Sequence, residues 1–208
     1  MKKYILPIFL SGAVMLNSCG GDTPEDSDSN GGGDSTQVES SEVNLTGLRE
    51  FDMSEYDLNV IIYVPEKYYT DQELQVEKFV QPTIKHNDGE ALWDITMTGE
   101  KHFHMVIEDW GDIKQTVADE KMVHTDQSDI YDFVYEMEGE NYMLFVRKLK
   151  SENTTNETDV SQLPMHHFYA VKEIDGYYIT ARSFSMQDFH QVSAKKMLNC
   201  ARGMKSSK

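Results

Sequence analysis

The sequence predicts an α+β domain: an antiparallel β-sheet built from hairpins, with covering helices that include a C-terminal one. Three observations predict it. Short runs alternate apolar and polar residues with period two, as in Trp93, Ile95 and Met97 set between Asp94, Thr96 and Thr98. Turn signals separate the runs at Asn87-Asp88-Gly89, Glu138-Gly139-Glu140 and Asp175-Gly176. The last stretch then changes to helical spacing.

The elements follow in order. Leu58 to Val64 is a β-branched apolar run ended by Pro65, a strand. Asp71 to Val80 carries Leu74, Val76 and Phe79 among charges, which predicts a short helix stopped before Pro82. Trp93–Met97 and Phe103–Ile107 form two half-buried strands, whose core faces are Trp93, Ile95, Met97 and Phe103, Met105, Ile107. A loop centred on Gly99 would keep that face apolar by pairing Ile95 with Phe103 and Trp93 with Met105. The same register predicts a loop of three or five residues and sets Asp94 opposite His104 on the more polar face. Asp112 to Val123 predicts a helix buried through Ile113, Val117 and Ala118. Asp129–Met137 and Tyr142–Leu149 make a second hairpin, and Ser151 to Asp159 reads as a polar loop. His166–Ile174 and Tyr177–Phe184 make a third hairpin around Asp175-Gly176. Ser185 and Asp188 resemble a capping box for a final helix with the stripe Phe189, Val192, Lys196, Met197, Cys200 and Met204.

The opening strand ending in Val64-Pro65, followed by Tyr68-Tyr69, and the closing Gly176-Tyr177-Tyr178 strand running into a terminal helix resemble the fold group typified by PsbP and DcrB. Several proteins of that group are non-catalytic envelope or assembly factors, so the resemblance implies a binding or assembly role.

The N-terminal part carries an address. Met1-Lys2-Lys3 precedes an apolar run to Leu16 that is too short and broken for a stable membrane span. The run ends in Leu16-Asn17-Ser18-Cys19, which resembles the lipobox of bacterial lipoproteins. The resemblance implies a signal peptide over 1–18, and acylation (palmitate-type chains) of Cys19 as the first mature residue. It also implies a cell-envelope location in the outer membrane, on its periplasmic or surface face. Two acyl chains anchor stably where one holds only marginally. Residues 19–44 read as an acidic flexible tether, because a segment of Gly, Ser and acids cannot recover its ordering entropy by burial. Its acids after the cysteine loosely resemble the surface-export signal of Bacteroidota lipoproteins. Asp26-x-Asp28-x-Asn30-Gly31-x-x-Asp34 imitates a calcium loop, but Gln37 stands where a bidentate carboxylate is needed. Residues 45–208 then form a single domain, large enough for its own core.

The formal charge is −17, and removing Lys2 and Lys3 would take it to −19. Such a charge repels phosphate backbones and anionic headgroups, which speaks against nucleic-acid partners and makes the lipid on Cys19 the membrane attachment. Cys200 has no second cysteine for a disulfide once Cys19 is acylated, and reads as a small apolar residue of the final helix.

Sites are faint. His102 and His104, two apart on a strand, share a face about 6.5–7 Å apart and could ligate a metal, with Asp94 across the hairpin. Trp110, beside Gly111 in a loop, could stack on a ligand. No GxSxG, HExxH or CxxC is present, so no catalytic residue and no cofactor is expected. The expected function is a lipid-anchored, non-enzymatic envelope module that binds or assembles with a protein or small ligand. The alternative is an envelope hydrolase or glycan-binding accessory.

Overall fold

In the computed structural model, residues 42–70, 73–79, 81–87, 89–97, 100–150 and 165–208 are described, within the unit Glu39–Lys208. The signal peptide, Cys19, residues 19–41 of the tether, the 151–159 loop and Gly99 lie outside the described residues.

The alternating runs become antiparallel strands. In chain order these are β1 (Leu48–Asp52), β2 (Val60–Pro65), β3 (Lys67–Thr70), β4 (Glu73–Phe79), β5 (Pro82–His86), β6 (Leu92–Met97) and β7 (Glu100–Asp109). Helix α1 (Val117–Asp126) follows, then β8 (Tyr131–Gly139), β9 (Tyr142–Leu149), β10 (Met165–Ile174) and β11 (Tyr177–Ser183). Helix α2 (Gln191–Gly203) and β12 (Lys205–Ser206) close the chain. One antiparallel sheet has the order β5-β6-β7-β11-β10-β9-β8, a second has the order β1-β2-β12, and β3 pairs with β4. The expected hairpins and C-terminal helix are present, and the balance is more strongly β than the sequence suggests.

Strand alternation gives the large sheet two faces. On one, Ile95, Met105, Ile107, Leu144, Phe168 and Ile179 meet Ala194, Met197, Leu198 and Ala201 of α2. Val60, Ile62 and Val64 of β2 complete that core. On the other face Met143, Phe145, Tyr169 and Val171 form a smaller cluster that includes Val117 of α1. Cys200 belongs to the first core and is fully buried, and that burial pushes its thiol up to about 12.

Several expectations are corrected. Residues 73–79 are a strand, not a helix. A helix that short closes few hydrogen bonds against its nucleation cost, whereas pairing with β3 satisfies both strands. The helix expected over 112–123 begins five residues later. Gly111 (φ 60°) turns the chain, and Thr116 is the N-cap, its side chain accepting the Asp119 amide at 3.2 Å. Ile113, expected inside, is 61% exposed, and of α1 only Val117 and His124 are buried. Ser185 and Asp188 cap nothing, because α2 starts at Gln191. Phe189 is drawn into the core, and its carbonyl accepts the His166 amide at 3.1 Å, which holds the chain extended up to the helix. Val192 is 75% exposed, and Ala194, Met197, Leu198 and Ala201 carry the buried stripe instead. The β8–β9 turn is Glu140-Asn141, since Gly139 pairs with Tyr142. Strands β1, β5 and β12 had no clear signal.

The β6–β7 register differs from expectation by two residues. Ile95 pairs with Met105 and Trp93 with Ile107. A register shift between Thr96 and Met97 then pairs Met97 with Glu100, leaving two residues between the paired positions rather than three or five. The apolar face is intact, because a slip of two returns every side chain to its own face. The His104 amide donates to Met197 Sδ at 3.3 Å, which ties β7 to α2.

Candidate functional site

The second sheet face holds a cavity of about 400 Å³ beneath α1. That volume suits a small organic ligand. Its floor comes from β9, β10 and β11, its back from Phe133 of β8, and its lid from Asp119, Glu120, Val123 and His124 of α1.

The lid is held by an aromatic clasp. His124 is buried, stacks on Phe133 at 4.2 Å between ring centroids and lies 4.4 Å from Phe145. Its Nδ1 is 3.1 Å from the Tyr135 hydroxyl, and its Nε2 is 3.7 Å from Glu120 Oε1. Trp110 forms the rim. The strand end holds it, its amide donating to the Tyr178 carbonyl at 2.9 Å and its indole N–H donating to Thr180 Oγ1 at 3.1 Å. It remains 40% exposed.

The floor is polar for a buried surface. Arg182 pairs with Glu108 at 2.8 Å, both partly buried. Tyr169 is buried, and desolvation by that burial raises its hydroxyl pKa well above the ordinary value. His167 is 3% exposed. Its Nδ1 lies 2.9 Å from Ser183 Oγ, which also accepts the Phe168 amide at 3.3 Å. Its Nε2 is buried with no hydrogen-bond partner, and so is the Nε of Arg147 nearby. Arg147 is otherwise engaged through Nη2, which donates to the Ser185 carbonyl at 2.8 Å, and its guanidinium lies 4.8 Å from the Tyr131 ring centroid. Desolvation, reinforced by the Arg147 charge, holds His167 down to about 3, so it stays neutral through the physiological range. A buried donor left unmade costs about 1–3 kcal/mol.

Of the residues singled out in sequence, Trp110 lines this cavity, while Asp94, His102 and His104 lie away from it. Asp94 Oδ1 and His104 Nε2 are 3.0 Å apart on the polar face, as a diagonal pair, because Asp94 opposes Val106 and His104 opposes Thr96. His104 also stacks on Phe184 at 4.1 Å, whereas His102 is exposed and meets the His190 ring at 5.3 Å. Among the described residues no group of three or more His, Cys, Asp or Glu side chains could hold a metal. Arg147, His167, Arg182 and His124 were missed. The available signal was a cation or imidazole interrupting an apolar strand, Arg147 after Met143-Leu144-Phe145-Val146 and His167 before Phe168-Tyr169-Ala170-Val171.

Among the described residues no helix is long and apolar enough to cross a membrane. No family model matches the chain, and no curated protein matches it in sequence.

Proposed function

We propose that this chain is a lipid-anchored module of the bacterial envelope, held by acyl chains on Cys19, that binds a small ligand in the cavity beneath α1 without transforming it. The observation that carries the reading is the cavity itself: about 400 Å³, walled by aromatic rings and floored by buried donors with no partner. In this reading the domain is an α+β scaffold whose two helices are covers, α2 over a core and α1 over a site. The likeness to the PsbP and DcrB fold group, with its non-catalytic members, leans the same way.

The alternative of an envelope hydrolase has less support. Ser183 and His167 are within hydrogen-bond reach, but an imidazole held down to about 3 is a poor base for activating a hydroxyl. The atom that a triad carboxylate would hold, the second ring nitrogen, has no partner. Ligand-observed NMR of the purified, detergent-solubilised chain against a fragment library tests the reading. Hits that shift Trp110 fluorescence support it, and a library with no hit at the cavity refutes it. Anchoring is tested separately. Cys19→Ser should move the protein to the soluble fraction at high salt, and retention in the membrane would refute lipid attachment.

A further inference from the structure

We propose that the cavity floor is a carboxylate subsite, in which Arg147 Nε–H and His167 Nε2–H donate to the oxygens of a small aromatic acid whose ring lies against Phe145 and Tyr169. The proposal rests on the small-ligand reading above and names its ligand class.

Hydrogen-bond accounting sets the polarity of the missing group. Ser183 Oγ already accepts the Phe168 amide, so its own hydrogen is available for His167 Nδ1, 2.9 Å away. We take the Ser183 hydroxyl to donate to Nδ1, which places the ring proton on Nε2 and makes this atom a donor. Arg147 Nε is a donor under all conditions. Both atoms are buried and unpartnered, and both residues line the same cavity. Their strand positions place them together: Met165 opposes Arg147 and His167 opposes Phe145, so the two are diagonal neighbours on one face.

Each carboxylate of the same wall has another partner. Glu108 Oε1 takes Arg182 at 2.8 Å, Asp119 Oδ2 takes the Thr116 hydroxyl at 2.6 Å, and Glu120 lies 3.7 Å from His124. None of these contacts reaches Arg147 Nε or His167 Nε2, which remain spare donors. At Arg147 itself charge points the same way, although the wall as a whole carries Glu108, Asp119 and Glu120 against Arg147 and Arg182. The chain has 36 acidic and 19 basic residues, so a partly buried guanidinium would ordinarily find a carboxylate. Among the described residues Arg147 has only a neutral carbonyl and a tyrosine ring. His167 stays neutral and adds a hydrogen bond without charge, so one anionic group balances the pair. A carboxylate matches in charge, in acceptor count and in its planar approach to a guanidinium edge.

The test compares benzoate with benzyl alcohol, a neutral analogue of similar size, by calorimetric titration of the detergent-solubilised full chain. Nitrogen-15 NMR follows Arg147 Nε and His167 Nε2 during each titration. Benzoate is expected to bind at least tenfold more tightly and to shift both nitrogens. Arg147→Lys, which keeps the charge and removes the Nε–H, is expected to lose that preference. Equal affinities, or benzoate binding that leaves both nitrogens unmoved, overturn the carboxylate subsite while leaving the cavity reading in place. Binding of neither compound overturns the subsite, and the fragment screen then decides the cavity reading independently.

Discussion

The two faces of the large sheet are made from the same strands, taken residue by alternate residue, yet they meet their helices in opposite ways. Beneath α2 the contact is dry: Ala194, Met197, Leu198, Cys200 and Ala201 are fully buried against aliphatic and aromatic partners. Beneath α1 the contact is sparse. The helix buries two residues, one of them a histidine, and leaves Met122 and Val123 at 68% and 45% exposure. The gap beneath it holds an ion pair and two donors without acceptors. A sheet that draws its stability from one face can carry unmet polar groups on the other, which is the condition a binding site needs.

Truncations test that division most directly. Leu198→Ala should destabilise the protein by about 2–5 kcal/mol in urea denaturation, because it opens a void in a closed core. Val123→Ala on α1 should stay within about 0.5 kcal/mol. Comparable losses at the two positions would erase the contrast.

Acid sharpens it next. His167 titrates near 3 when folded and at the ordinary value of 6.5 when unfolded. Between those values the unfolded chain binds the extra proton, so stability is complete above pH 6.5 and falls as the pH drops toward 3. The residue contributes up to about 1.4 kcal/mol per pH unit to that slope. A His167→Gln variant should show a shallower slope over that window in thermal melts, and an unchanged slope would refute the buried neutral imidazole.

The α1 cap gives a smaller effect. Thr116→Ala should cost about 1 kcal/mol and raise hydrogen exchange in α1 while leaving α2 unchanged. Smallest is the Asp94–His104 pair, with side chains 33% and 17% exposed. A double-mutant cycle should give about 0.2–1 kcal/mol, and a larger coupling would mean that this corner of the polar face is as desolvated as the α1 cavity.

How far the sequence revealed this contrast depends on the range of the interaction involved. Asp175-Gly176 read as a turn because two adjacent positive φ values, 53° and 84°, are a local demand. The apolar face of β6 and β7 was legible because alternation is local too. Their pairing was not, since a shift of two residues leaves the pattern unchanged and only the ladder records the irregularity at Thr96. For α1 the local signal existed and was passed over: Thr116 and Asp119 have the spacing sought at Ser185 and Asp188. The cavity was least legible. Arg147 and His167 lie on strands separated by residues 150–164, and what makes them a site is a pair of buried nitrogens without partners, which no single segment displays.

Burial of Cys200 has a kinetic consequence. A thiol held at about 12 inside α2 is almost entirely protonated at neutral pH, and an alkylating reagent cannot reach it in the closed protein. Its modification must wait for α2 to lift from the sheet. The rate at which iodoacetamide consumes this thiol therefore follows the opening of that one face, and residue 200 serves as an internal clock for the breathing of the core.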